Sequence, residues 1–305
     1  HLVGTHSDHI ERDPFDPDQT LPEEVLEWDK RGFWVRPSEK ERLDKIDTLI
    51  AMYGSHTEGM KEVLTKQLTQ FSFRLKEHFG SCLAYIHGKG PGVMYIADDI
   101  ARNLAELAKD DPEFADKIDE GIFSIGVGID AEQLGQLPNF RPPAQVDFQA
   151  KDRLIRQKHM NDRATINVFN IGGAGTLEEI AITLCSQKLR KNIPAPLIFV
   201  DPKGLAQDKG HLWKKLQSLV EDLAASKAIE SEEETETGMV KVQLLQSYMA
   251  NFIHIVDSYD AAAALIIAFE QDPVAYYRDT AKISRSDLEA TYEEALRGFL
   301  ETKFP

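Results

Sequence analysis

Cysteine is scarce in this 305-residue chain: Cys82 and Cys185 are the only two. Two cysteines cannot build a disulfide framework, and neither stands in a CxxC metal spacing. Buried thiols in a reducing compartment are the expectation, with the cytoplasm as location and no metal site. Long hydrophobic runs are missing as well. The longest apolar stretch, Ala261 to Phe269, has nine residues, too few to cross a bilayer. The first residues lack the basic stretch and apolar run of a secretory signal, and the numbering does not start at Met. Positive charge is in deficit: 35 Lys and Arg against 51 Asp and Glu leave a net charge of −16. Duplex nucleic acid and anionic membranes need clustered Lys and Arg and are not expected partners. A small anionic ligand, which needs only a local positive site, stays open.

The chain does have the composition of a soluble globular protein, with 42% hydrophobic and 28% charged residues. Short apolar runs alternate with helical patterns: Thr48–Tyr53, Cys82–Ile86, Ile122–Val127, Ile166–Phe169, Pro196–Val200 and Phe252–Val256. Helices are expected between them, including roughly 58–79, 93–109 and 147–161 and one running from the glycines near 173 to about 189. This alternation predicts βαβ units and a Rossmann-like parallel sheet with helices on both faces. The division expected is an N-terminal arm with short helices (1–45), a parallel-sheet domain (46–271) and a C-terminal helical extension (272–305). Ser231 to Thr237 reads as a solvated acidic loop.

Glycine-rich turns follow several of the runs, at the strand carboxyl ends where such sheets bind ligands. The strongest is Ile171-Gly172-Gly173-Ala174-Gly175-Thr176-Leu177-Glu178-Glu179. Glycines admit close backbone approach, and the first N–H groups of the following helix point out unpaired, so a phosphate fits there. No lysine follows as in a P-loop, and the spacing is not GxGxxG, so neither a nucleoside triphosphate nor a dinucleotide is indicated. Thr176 with Glu179 also spells a capping box, a purely structural device. The second turn is Gly88-Lys89-Gly90-Pro91-Gly92-Val93-Met94, and Gly54-Ser55 follows the first run. Together they suggest a composite crevice for an anion and a nucleoside. His56 and His87 border it. Tyr53 and Phe169 are expected in the core, Asp98, Asp99 and Glu178 on solvated faces, and Arg153 beside Arg156 on one helical face.

These residues carry a resemblance. Gly172-Gly-x-Gly-Thr-x-x-Glu179 is similar to the PGGxGTxxE motif of the LOG family, cytokinin-activating and nucleotide 5′-monophosphate phosphoribohydrolases often labelled lysine decarboxylases. Gly88-x-Gly-Pro-Gly-Val-Met94 resembles that family's GGGPGIM segment. Ser124-Ile-Gly126 with Glu132-Gln133 resembles its next strand and loop, and Arg156 falls where the motif arginine does. The resemblance covers about 47–260. It implies a Rossmann-like fold, a homodimer or higher homo-oligomer, and hydrolysis of a nucleoside 5′-monophosphate to free base and ribose 5-phosphate without a cofactor. By that resemblance, Glu179 is the catalytic carboxylate and Arg156 its partner. Gly172, Gly173, Gly175 and Thr176 hold the phosphate, with Gly54 and Ser55 close by, and Gly90, Gly92, Met94 and Lys89 line the nucleoside side.

The residue types suit this chemistry. Breaking a C–N bond at an anomeric carbon builds oxocarbenium-like charge, which a carboxylate stabilises while it positions or deprotonates water. An arginine pairs with the carboxylate or phosphate, or assists the departing base. Lysine decarboxylation needs a pyridoxal phosphate Schiff base, for which Lys89 and Lys158 have nothing to recommend them beyond being lysines. The chain departs from the motif at Ile171 (family proline), Lys89 (family glycine) and Gln157 (family lysine). The alternative is a LOG-like domain that senses or carries a nucleotide without cleaving it.

Overall fold

In the computed structural model the described residues are 4–5, 27–28, 34–35, 37–54, 61–90, 92–129, 146–150, 152–170, 172–188, 195–201, 211–225, 234–235, 238–239 and 247–283. The chain divides into two compact units, 1–182 and 183–305.

In the first unit the continuous apolar runs become strands buried on both faces, as parallel sheets require. Three two-residue strands, β1 (Gly4–Thr5), β2 (Glu27–Trp28) and β3 (Trp34–Val35), precede α1 (Pro37–Asp44). The main alternation then runs β4 (Thr48–Tyr53), α2 (Lys61–Phe79), β5 (Leu83–His87), α3 (Val93–Lys109), β6 (Phe123–Gly128), β7 (Val146–Gln149), α4 (Arg153–Arg163), β8 (Ile166–Phe169) and the start of α5 (Ala174–Lys188). Every residue of β4, β5, β6 and β8 is buried. The strand order is β1-β7-β6-β5-β4-β8. All these pairings are parallel except β1 with β7, where Gly4 faces Phe148. This is the Rossmann-like α/β fold the alternation predicts, flanked by helices.

Helix α3 buries Val93, Met94, Ile96, Ala97, Ile100, Ala101 and Leu104, an apolar stripe at helical spacing. One boundary differs from expectation. The helix anticipated from about Asp147 begins only at Arg153, because Val146–Gln149 pairs with β6 as a strand that buries Val146 and Phe148. Their period-2 spacing is the reason. Asp152 then opens α4, its side chain accepting from the Ile155 N–H at 2.8 Å, an N-cap.

The second unit contains the parallel pair β9 (Leu197–Val200) and β12 (Ile253–Val256), with α6 (His211–Ala225), a short hairpin of β10 (Glu234–Thr235) and β11 (Gly238–Met239), and α7 (Tyr259–Gln271). Trp213 of α6 packs on Phe199, ring centroids 5.1 Å apart. Phe252, Phe269, Tyr276 and Tyr277 form an aromatic cluster. Of the expected C-terminal helical extension, residues 284–305 lie outside the described residues. Among those described, no helix is long and apolar enough to cross a membrane.

Candidate active site

Strands β5, β4 and β8 are neighbours, and their carboxyl ends lie level: Met52 pairs with His87 and Tyr53 with Phe169. The chain leaves β4 for β5 on one side and returns to place β8 on the other. The crevice between such strands is where open α/β sheets bind ligands. Gly54, the Gly88–Gly92 loop and the Gly172–Gly175 turn emerge there. Asn170, directly after β8, locks the first to the third. Its backbone N–H and its Nδ2 both donate to the Tyr53 carbonyl, at 3.0 and 2.8 Å. Gly54 has φ +145°, and a Cβ there would lie 2.9 Å from Asn170 Cβ and 3.1 Å from Val93 Cγ2. Beneath, Tyr53 and Phe169 stack in the core at 4.7 Å, as expected.

The turn after β8 behaves differently. Gly173 and Gly175 are exposed, and a Cβ built on either would meet no atom of the described residues within 4 Å. Neither packing nor a left-handed backbone demands glycine at these two positions. Both leave bare backbone at the N-terminus of a long helix, where unpaired N–H groups favour an anion. The capping-box alternative does not hold. Helix α5 already begins at Ala174, and the Leu177 N–H donates to the Gly173 carbonyl at 3.2 Å, so Thr176 lies inside the first turn rather than at the N-cap. Thr176 and Glu179 are both buried, whereas Glu178 lies half-exposed in an ion pair with Arg153.

Glu179 meets Arg156 of α4, Nη2 to Oε1 at 4.0 Å. Burial pushes the Glu179 carboxyl up to about 7, against the opposing pull of Arg156 and Arg153. Burial likewise lowers the Arg156 guanidinium, against the pull of Glu179. For both partners desolvation outweighs attraction across a long contact. Arg156 is anchored elsewhere, Nη1 donating to the Gly88 carbonyl at 3.2 Å, and its buried Nε has no hydrogen-bond partner among the described residues. The guanidinium lies over Gly88, where a Cβ would come within 3.3 Å of Cζ and Nε. A carboxylate poised near neutral pH beside a buried arginine suits general acid–base work.

On the other rim, Met94 Sδ fills the space beside Gly90, 2.9 Å from where a Cβ would stand. Gly92 precedes α3 with φ 82°, and Lys89 is left-handed at φ 53°. The backbone thus explains the family glycine at position 89, since a non-glycine residue held there costs about 1–2 kcal/mol. Ser55, His56, Pro91, Glu132, Gln133 and Ile171 lie outside the described residues. Gly172 is half-buried at the turn.

Two residues depart from expectation. Asp98 is 3% exposed, not on a solvated face; Asp99 is the solvated member of the pair. Asp98 stands four residues after Met94 and three before Ala101, so its place on the inner stripe was readable from helical spacing. His87 is buried beside it and bonded to Ser124. Among the described residues no group of His, Cys, Asp and Glu could hold a metal ion.

The fold and crevice define a Rossmann-like α/β protein with a glycine-turn site. Residues 117–258 match the family described as "Possible lysine decarboxylase", so that part of the chain is similar to a LOG-like domain. Solved structures to which the chain is similar include the molybdenum cofactor carrier protein of Chlamydomonas reinhardtii, at 14% identity and TM-score 0.44 over 73% of this chain and 98% of that one. A second structure of that algal carrier matches at 15% identity and TM-score 0.37, over 72% and 98%. The X-ray structure of TM1055 matches at 13% identity and TM-score 0.41, over 73% and 99%. No curated protein matches the chain.

Proposed function

We propose that the protein hydrolyses the N-glycosidic bond of a nucleoside 5′-monophosphate, releasing free base and ribose 5-phosphate. The observation that carries this reading is Glu179: a buried carboxylate, raised to about 7, at 4.0 Å from Arg156 and one helical turn from the exposed glycines. The 5′-phosphate sits at Gly172, Gly173, Gly175 and Thr176, against the N-terminal N–H groups of α5. Gly54 and Ser55 border it, and Gly90, Gly92, Met94 and Lys89 face the nucleoside. The C1′–N bond breaks with its electron pair leaving on the base. Water oxygen bonds to C1′, its proton passes to ionised Glu179, and Glu179 returns to its ionised form as that proton is delivered to the departing base. Arg156 holds the carboxylate in place. Lys158 takes no part: it is exposed and paired with Asp162.

The test is chromatography of bases released from AMP, GMP, CMP and UMP. Base and ribose 5-phosphate in equal amounts are expected from at least one of them. No release, together with a melting temperature raised by one of these nucleotides, would replace the hydrolase with a nucleotide sensor or carrier. A second prediction concerns the support of Arg156. Gly88→Ala places a methyl within 3.3 Å of the guanidinium, which must shift by a few tenths of an ångström. Turnover is expected to fall about tenfold at nearly unchanged melting temperature, because misplacement of a catalytic group costs rate before stability. Steady-state kinetics beside a melting curve checks both halves.

A further inference from the structure

A buried polar chain runs behind the Gly88–Gly92 loop. The Lys89 backbone N–H donates to His87 Nδ1 at 3.3 Å. With Nδ1 as acceptor, the ring proton sits on Nε2. Nε2 lies 3.1 Å from Ser124 Oγ, which donates onward to Asp98 Oδ1 at 2.5 Å. Arg102 closes the chain, with Nε and Nη2 at 3.2 and 3.1 Å from Asp98 Oδ2. Burial pushes the Asp98 carboxyl up, but its hydrogen-bond and charge interactions, with His87 foremost and then with Ser124 and Arg102, outweigh it and hold it below its usual value. Asp98 therefore accepts as an ion, and every proton in the chain points one way. The arrangement is not a nucleophilic triad, because the carboxylate grips the serine while the far nitrogen of the histidine faces backbone.

The group at the outer end matters. The Lys89 N–H and the Gly88 carbonyl belong to one peptide unit, which is rigid and planar. Its N–H is held by His87 and its carbonyl by Arg156 Nη1 at 3.2 Å. Turning that plane moves both ends together. It also sits in a loop whose next residue, Lys89, is left-handed, a conformation that needs enforcement from outside. We propose that His87 is a positioning residue: its grip on the Gly88–Lys89 peptide aims the carbonyl that anchors Arg156 beside Glu179, and Ser124 with Asp98 sets the tautomer on which the grip depends. The kinetic part of this inference rests on the hydrolase reading; the structural part does not.

The first experiment is long-range proton–nitrogen correlation on protein labelled with 15N-histidine, with His87 assigned by its loss in His87→Asn. A ring protonated at Nε2 with Nδ1 as acceptor is expected, and a proton on Nδ1 would overturn the proposal without reference to activity. The second compares His87→Leu, which removes the acceptor, with His87→Asn, whose side-chain oxygen can stand near Nδ1. Leucine is expected to lower kcat about tenfold or more, to keep KM within about threefold, and to lose the Arg156–Gly88 contact in a crystal structure. Asparagine should recover most of both. Equal loss in the two variants, or wild-type kcat in leucine, would count against His87. Should leucine fail to fold, Ser124→Ala carries the test: it removes one hydroxyl and should partly release the Nε2 tautomer. If wild type releases no base, the hydrolase reading falls, and the tautomer and the Arg156 contact still decide the positioning role.

Discussion

Glu179→Gln is expected to abolish base release and, above neutral pH, to make the protein more stable. The loss of rate follows from removing the ionisable group, for which about 10²- to 10⁴-fold is usual. The gain in stability follows from its position. Burial raises the Glu179 carboxyl from 4.5 to about 7, so the fold prefers the protonated form. Below the unfolded value the folded protein bears no cost. As pH rises through about 7 the buried carboxylate must ionise, and the stability associated with the neutral form is lost. The shift corresponds to roughly 2–4 kcal/mol, and the attraction of Arg156 and Arg153 is already inside that balance. Glutamine keeps the shape and carries no charge. Melting curves of wild type and variant should coincide near pH 4, part progressively between about 4.5 and 7, and stay apart above that, with the variant higher. The same ionisation gives kcat/KM a rising acid limb centred near 7, since the ionised carboxylate accepts the water proton. A variant that melts below wild type at pH 8 would contradict the picture of Glu179 as a desolvated group held for chemistry. A catalytic group that weakens its own fold is the usual sign of a functional site.

Gly54→Ala is expected to cost more stability than any other single methyl at the site. The backbone at φ +145° is closed to side chains, which alone costs about 1–3 kcal/mol. The new Cβ would also stand 2.9 Å from Asn170 Cβ and 3.1 Å from Val93 Cγ2. Neither atom is the end of a flexible chain. Asn170 is fixed by two hydrogen bonds to the Tyr53 carbonyl, and Val93 is β-branched at the first turn of α3. Overpacking adds about 1–3 kcal/mol. The sum, roughly 2–6 kcal/mol, is read from the denaturation midpoint. Relief of the clash would part β4 from the Asn170 turn, so nucleotide-dependent thermal stabilisation should fall as well. A midpoint equal to wild type would show that the turn yields without cost.

Gly173→Ala and Gly175→Ala make the contrast. Their methyls meet nothing among the described residues, so stability should be unchanged within about 1 kcal/mol while nucleotide affinity falls if backbone there faces a phosphate. Two pairs of melting curves, with and without AMP or GMP, separate the effects.

The sheet and its glycine turns were legible because each is written locally. A run such as Thr48–Tyr53 is apolar throughout when both faces of a strand are buried, and a turn such as Gly172–Gly175 announces itself by residue type. Glu179 and Arg156 stood out through motif positions alone. What the sequence by itself determined, then, was the alternation of the main strands and helices, β7 excepted, and the carboxyl ends at which glycine-rich loops emerge. What only the tertiary structure decided was which polar groups lose their water and whom they meet. It placed Asp98 inside rather than on a solvated face, moved Thr176 from a capping position into the first turn of α5, and set Glu179 in a site dry enough to raise its pKa. It also joined Asp98 to Ser124, Ser124 to His87 and Gly88 to Arg156 across 26, 37 and 68 positions of chain. Local pattern carries backbone preference, whereas desolvation and hydrogen-bond partnership depend on distant segments converging, and only the folded chain brings them together.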